Sequence, residues 1–139
     1  MPTLPWTVPN PPPQGRQTVV MASRLEVRRL ADVPRFFLRS LAAWRQVRKA
    51  PGAYGASLIA QPTKRTFWTL SAWESKEALY TYAKTEPHKS IMTGLRSVMR
   101  TSTFTQWDST TDDLPISWDE ARKRLQEQKA QQDGLSGTQ

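Results

Sequence analysis

The chain has no cysteine and a single histidine, His88. Without thiols there is no disulfide framework, no thiolate metal site and no cysteine nucleophile. One imidazole and no thiolate also leave too few protein ligands for a first-row metal centre. A haem held by one axial histidine stays open. Glycine is sparse, with 6 in 139 residues, and neither a Gly-rich phosphate loop, a G-x-S-x-G elbow nor a carboxylate cluster at metal-ligand spacing occurs. No apolar run approaches the ~20 residues that cross a bilayer. The first residues, Met1-Pro2-Thr3-Leu4-Pro5-Trp6, lack the basic start and apolar run of a leader. The expectation is a soluble, cytoplasmic protein.

Acidic residues are the scarcer charge, 12 against 20 basic ones, for a net charge of +8. A basic surface attracts polyanions, yet Arg35, Arg39, Arg45, Arg48 and Lys49 are spread along one predicted helix among its apolar residues. That pattern describes a solvated helix face. No zinc-finger spacing, RNA-recognition motif or glycine clamp accompanies it, so nucleic acid is not the expected partner.

Proline is concentrated at the start, where Pro2, Pro5, Pro9, Pro11, Pro12 and Pro13 precede Gln17. Missing amide donors and fixed φ favour a polyproline conformation, so residues 1–17 read as an arm outside the domain. Residues 18–129 read as the domain, and 130–139, rich in Gln, Gly and Ser, as a disordered tail.

Within the domain, residues 18–28 alternate. Val19, Met21, Ser23, Leu25 and Val27 share one face, and Val20, Ala22, Arg24, Glu26 and Arg28 the other, as in a strand. Asp32 is placed to cap a helix over 33–49, with Pro34 in its first turn and a stripe centred on Phe37, Leu41 and Trp44. Pro51-Gly52 stops it. Residues 53–61 and 66–73 read as strands joined by a turn. Ser75 opens a second helix with Ala78, Leu79 and Tyr82 on its stripe. Pro87 restarts the helix through His88, Ile91, Met92, Leu95 and Met99. Residues 100–107 give a fourth strand. Ser117, with Glu120 three residues later, is a capping box that opens a terminal helix.

Two β-α-β halves make a ferredoxin-like split βαβ, an α+β fold of βαββαβ order. Its expected form is a four-stranded antiparallel sheet with helices on one face and an extra C-terminal helix. Trp68 and Trp73 fall on opposite faces by parity. The face away from the helices is therefore apolar too, and a homodimer with sheets face to face is the expected way to bury it.

The residues able to carry chemistry are few. His88 reads either as a general base, haem ligand or orienting donor, or as a helix-start residue bonded to a nearby carbonyl. His88, Met92 and either Leu95 or Arg96 share a helical face. Tyr54, Trp44, Trp68, Trp73, Tyr80 and Tyr82 offer walls for a planar ligand; Trp44 reads as core, while Trp68 and Tyr82 are open between core and pocket. Small hydroxyls recur on the strands at Ser23, Ser57, Thr69, Ser71, Thr101 and Thr103. Arg24 is expected to pair with an acid on a neighbouring strand rather than bind an anion.

The stretch Thr66-Phe67-Trp68-Thr69-Leu70-Ser71-Ala72-Trp73-Glu74-Ser75-Lys76-Glu77-Ala78-Leu79 resembles the dimeric α/β-barrel superfamily, in which a strand ending in Trp-Glu-Ser leads into a helix across the sheet. That superfamily includes antibiotic-biosynthesis monooxygenases, haem-degrading monooxygenases and the spheroidene monooxygenase group. Tyr82-Ala83 with His88 following is similar to the last group and its uncharacterised bacterial relatives, as are Trp107 and the Glu-Ala-Arg-Lys-Arg-Leu run ending at Leu125. The chain departs from the haem-degrading group, since its histidine stands about one helical turn early with Met92 in the corresponding place. The resemblance implies a homodimeric oxidoreductase, an oxygenase-like enzyme acting on a small apolar (aromatic or polyene) molecule, with haem or no cofactor. It implies His88 as base or axial ligand, Tyr54, Trp68, Tyr82 and Met92 as pocket walls, and Arg96 as an anion partner. The alternative is a non-catalytic dimeric domain that binds a small molecule or haem. Retention on heparin should be weak and unaffected by salt; strong retention that falls steeply as salt rises would instead reveal a phosphate-binding surface.

Overall fold

The computed structural model describes residues 3–86 and 88–137. Its elements are β1 (Thr3–Thr7), β2 (Gln17–Val27), α1 (Val33–Val47), β3 (Ala53–Gln61), β4 (Thr66–Trp73), α2 (Lys76–Lys84), α3 (His88–Leu95), β5 (Met99–Thr110) and α4 (Trp118–Gly137). One antiparallel sheet runs in the order β1-β3-β4-β2-β5. The last four strands are the ferredoxin-like sheet expected from the alternation. The sheet is open, so a single chain forms no closed barrel.

The fifth strand corrects the reading of the first residues as an arm. β1 pairs with β3, Thr3 opposite Ile59 and Leu4 opposite Leu58. Pro5 is tolerated because β1 is an edge strand, where a missing donor breaks no central ladder. The close approach depends on Gly55: a Cβ there would lie 1.9 Å from the Trp6 ring. Ser57 Oγ adds a hydrogen bond to the Leu4 carbonyl, 2.8 Å.

Two caps form as expected. Ser75 Oγ accepts from Ala78 N at 3.1 Å, and Ser117 Oγ accepts from Glu120 N at 3.2 Å. Glu120 turns to Arg124, 2.7 Å away, and so does not complete the box. Asp32 makes no side-chain cap bond, because a 3₁₀ turn over Leu30–Asp32 already feeds the chain into α1. The stripe of α1 is also shifted from the expected one. Val33, Phe36 and Val47 are buried, Phe37 is half-buried and Leu38 is 66% exposed. The inward face between Phe36 and Val47 carries Ser40 and Ala43, and such small residues conceal a helical period. Arg35, Arg39, Arg45, Arg48 and Lys49 are all exposed, as a solvated face requires.

Parity places Met21, Leu25, Phe67 and Trp73 under α1–α3. Phe36 and Phe67 meet there with ring centroids 4.5 Å apart. Val20, Ala22, Leu70, Ala72 and Tyr54 point to the other face and pack on Ala121 and Leu125 of α4, with Trp6, Trp68, Trp107 and Trp118 around them. The chain therefore covers its own second face. Trp6, Trp68, Trp107 and Trp118 stay half-buried there, so α4 takes part of the burial that the parity argument assigned to a second sheet. α4 continues through Gly137, beyond the expected start of the tail at 130. Its Ala130-Gln131-Gln132 run has good helix propensity, and Lys129 reaches Asp133 at 3.5 Å one turn on.

Leu125→Ala tests whether α4 is integral. Leu125 is 2% exposed, so the substitution should cost ~2–5 kcal/mol by urea denaturation. A loss within a few tenths would mean that α4 is peripheral.

Candidate functional site

Helices α1–α3 arch over the centre of the sheet and enclose a cavity of about 170 Å³. It exists because small side chains face each other across it. The floor has Ser23 on β2, Ala56 on β3 and Thr69 and Ser71 on β4; the roof has Ser40 and Ala43 on α1 and Ala83 on α2. Larger groups close its ends: Trp44, Trp73 and Tyr82 at one, Met92, Leu95 and Phe36 at the other. Phe104 on β5 also borders it and is 39% exposed, marking the side nearest solvent. A larger groove of about 740 Å³ lies between α1 and α2. It is a surface trough whose charged residues, Arg45, Lys49, Glu74 and Glu77, are exposed, so the cavity beneath the helices, which His88 borders, is the better candidate.

His88, the first residue of α3, borders this cavity. Its backbone N–H donates to Gln46 Oε1 at 2.7 Å. Gln46 Nε2 in turn donates to the Tyr82 and Thr85 carbonyls, both at 3.2 Å. One α1 side chain thus ties down the end of α2 and the start of α3. His88 Nδ1 lies 3.2 Å from the Ala83 carbonyl. A carbonyl can only accept, so Nδ1 carries the proton and Nε2 keeps its lone pair. The ring packs at a tilt against Tyr82, centroids 4.7 Å apart, and Tyr82 likewise against Trp73 at 5.0 Å. Tyr82 O–H donates to the Ala43 carbonyl at 3.0 Å.

Burial disfavours charge on both rings. It holds the His88 imidazolium below the ordinary histidine pKa, with the bond to Ala83 offsetting part of the effect. It pushes the Tyr82 phenol far above its usual value, so Tyr82 serves as a neutral donor. On the floor, Ser23 Oγ and Thr69 Oγ1 share a short hydrogen bond, while Ser71 Oγ accepts from Trp73 Nε1 at 2.9 Å. The site therefore combines a neutral imidazole with a small set of hydroxyls in an apolar enclosure. No group of three or more His, Asp or Glu placed to hold a metal occurs among the described residues.

The residues named from sequence divide by face. His88, Tyr82 and Met92 line the cavity. Tyr54 and Trp68 do not: both lie on the α4 face. Trp68 has the parity of Leu70, and an irregularity in the β3–β4 register between Ala53 and Gly55 accompanies Tyr54 on that side. Trp68 carries the Arg24 and Arg122 guanidiniums at 5.4 and 5.2 Å from its ring centroid and donates to Gln61. Arg24 approaches Glu26 of its own strand at 3.7 Å, not an acid on a neighbouring one. Arg96 is exposed in the 3₁₀ turn after α3; the helix ends at Leu95, and Leu95 takes the inward place. Trp44, expected in the core, packs against the cluster of Val19, Val47, Trp73 and Leu79 and also borders the cavity. Gln46 and Phe104 were not singled out. Nothing local marks Gln46, because its partners lie 36 or more residues away.

No protein-family model matches the chain, and no curated protein does so. Solved structures do. An antibiotic biosynthesis monooxygenase superposes with TM-score 0.60 at 13% identity, over 66% of this chain and 98% of that one. SnoaB of Streptomyces nogalater, a cofactor-independent oxygenase, superposes at 0.54 and 18%, over 71% and 98%. The chain has the antibiotic-biosynthesis monooxygenase fold. In a protein of Lactobacillus acidophilus NCFM the match (0.58, 14% identity, 67% of this chain) spans only 47% of the longer chain. Among the described residues, no helix is long and apolar enough to cross a membrane.

Because His88 is the sole histidine, its ring resonances can be followed by NMR without assignment. They should titrate with a midpoint below the ordinary ~6.5. Below that ordinary value the unfolded chain binds the proton first, so stability should fall as pH drops through the folded-state pKa. His88→Gln should remove this component from the pH dependence of urea midpoints.

Proposed function

We propose that the cavity is the active site of an oxygenase-like enzyme that works without a cofactor on a small, apolar aromatic molecule with an acidic C–H or O–H. The observation that carries this reading is His88 itself: neutral, anchored through Nδ1, with a basic Nε2 beside an apolar enclosure. Cavities of ~150 Å³ lined by apolar groups accept benzene. The space here, about 170 Å³, suits a one-ring substrate, or a two-ring one with slight side-chain movement. An extended polyene suits it less well.

The chemistry is proton removal followed by oxidation. His88 Nε2 takes the proton, and the resulting carbanion passes electrons to dioxygen. Both oxygen atoms first join the substrate carbon as a peroxide. Loss of water then leaves a carbonyl, so a CH₂ group and O₂ become C=O and H₂O. One hydroxyl of the Ser23–Thr69 pair keeps an O–H that the other does not use, and it would donate to the oxyanion that forms on deprotonation. Walls of Trp44, Trp73 and Met92 exclude water, which strengthens both interactions.

A haem with His88 as axial ligand fits poorly. A porphyrin is several times larger than the cavity, and the Tyr82 ring already packs against the imidazole with centroids 4.7 Å apart.

Oxygen uptake above the protein-free rate with one- and two-ring phenols and naphthols, whose keto tautomers carry the CH₂ group, and without release of hydrogen peroxide, tests the proposal. The wild type should consume oxygen, with an acid limb in kcat/KM set by His88 below the ordinary histidine range. His88→Gln should fold and bind, yet lose ~10²-fold or more in turnover. Tight binding without oxygen uptake would favour the non-catalytic domain, and unchanged turnover in folded His88→Gln would remove the histidine from the mechanism.

A further inference from the structure

We infer that one end of the molecule docks on a bilayer of anionic lipid, with Leu30 and Leu38 entering its surface. Three connections meet at this end: β2 to α1, β3 to β4, and α3 to β5. Hydrogen bonds tie them together. Val27 N–H donates to the Arg65 carbonyl and Arg28 N–H to the Val98 carbonyl, both at 2.9 Å. Arg28 Nε donates to the Met99 carbonyl, also at 2.9 Å. The first connection carries Arg28 and Arg29, the second Lys64 and Arg65, and the third Arg96. Arg35 and Arg39 follow on the first turns of α1, and every one of these cations except half-buried Arg65 is exposed.

Little at this end offsets that charge. The three connections and the first half of α1 hold one acid, Asp32, and none of the seven cations forms an ion pair among the described residues. An exposed basic helix face is commonly laced with carboxylates at i,i+4 spacing, yet α1 contains no Asp or Glu. Glu74, Glu77, Asp108, Asp112 and Asp113 stand at the opposite end of the sheet, where β4 and β5 finish beside the start of β2. Most of the net charge of +8 therefore sits at one pole.

Charge alone attracts any polyanion, and the apolar groups decide between them. Leu30 and Leu38, 61% and 66% exposed, are the most exposed large apolar side chains among the described residues. Both stand among the cations: Leu30 follows Arg29, and Leu38 lies one helical turn from Arg35. A phosphodiester chain offers an exposed leucine nothing to bury it. An anionic bilayer offers phosphate at its surface and hydrocarbon just beneath, and cations set around a few apolar groups suit a protein that lies on it without crossing. The same pole revises what the sequence implied for heparin: retention should be measurable and should fall as salt rises.

This pole is also where the cavity ends. Phe36 and Leu95 close it there, and they adjoin Arg35 and Arg96 in the chain. Docking holds that end of the cavity toward the lipid, the phase in which an apolar substrate dissolves. That consequence rests on the cavity being the active site; the docking does not.

Co-sedimentation of the full chain with vesicles tests the surface. Vesicles of phosphatidylcholine and phosphatidylglycerol in equal parts should bind at least ~10-fold more tightly than phosphatidylcholine alone, and less tightly as salt rises. Arg29→Glu with Arg39→Glu should lower that binding by ~10-fold or more. Lys76→Glu with Lys123→Glu changes the net charge equally at exposed positions away from the three connections, and should leave binding within about twofold. Leu30→Ser with Leu38→Ser should weaken binding several-fold and leave its salt dependence unchanged. All six positions are exposed, so each variant should melt like the wild type. A wild type that stays in solution with the mixed vesicles would overturn the proposal, as would an equal loss from the two charge pairs. So would a leucine variant that binds as tightly as the wild type; if a DNA duplex then displaced the protein from the vesicles, the pole would belong to nucleic acid. None of these readouts needs turnover, so a protein that binds vesicles and consumes no oxygen would keep the docking surface and lose the active-site reading.

Discussion

A sheet that is apolar on both faces must be covered twice, and this protein meets that requirement within one chain. Helices α1–α3 lie on one side, and α4 with Trp6 and Trp118 lies on the other. Each cover depends on details that would otherwise look incidental. Gly55 leaves room for the Trp6 ring. Ala121 and Leu125 are the fully buried contacts of an otherwise polar helix. Arg122 and Arg124 lie over Trp68 and Trp107 at 5.2 and 4.4 Å, so their stems and planar ends extend the apolar cover while remaining cationic.

The candidate site is a local exception to close packing on the helical side. Interiors normally fill to crystal-like density, and here Phe36, Phe67 and Trp73 do so at either end. Between them, Ser40, Ala43, Ala83, Ser23 and Ser71 are too small to meet across the gap. The same substitution of small for large leaves hydroxyls facing an apolar space, where a hydrogen bond is stronger than in water. His88 is held there by a chain of contacts running from α1 through Gln46 to both ends of the α2–α3 junction. The histidine is therefore positioned by the helix packed against it as much as by its own helix.

Much of this was legible in order and type. The alternation at 18–28 and the Trp-Glu-Ser step at 73–75 marked the strands, and Ser75 and Ser117 marked two helix starts. Each is a local signal, decided by residues a few positions apart. The stripe of α1 is obscured in the sequence for a physical reason: Ser40 and Ala43 replace large residues where the cavity lies, so the large residues centre on Phe37 while Phe36 occupies the inward face. Asp32 was assigned a cap that the preceding turn makes unnecessary. The proline-rich start was assigned to an arm because composition reports the cost of proline inside a sheet and not its tolerance at an edge.

Sequence alone determined the βαββαβ order from residue 18 onward, the alternation of β2, the opposite faces of Trp68 and Trp73, and the exclusion of thiol chemistry, because these follow from spacing and residue type. Tertiary structure decided which parity faces which cover. Trp73 went under α2 with Tyr82 and His88, and that choice sent Trp68 to α4. Arg96 was lost from the site because α3 ends one residue before it. Gln46 was gained because the end of α2 and the start of α3 both fall within its reach. Contacts between residues dozens of positions apart leave no periodic trace in a single chain, and their positions are set by the packing of whole elements.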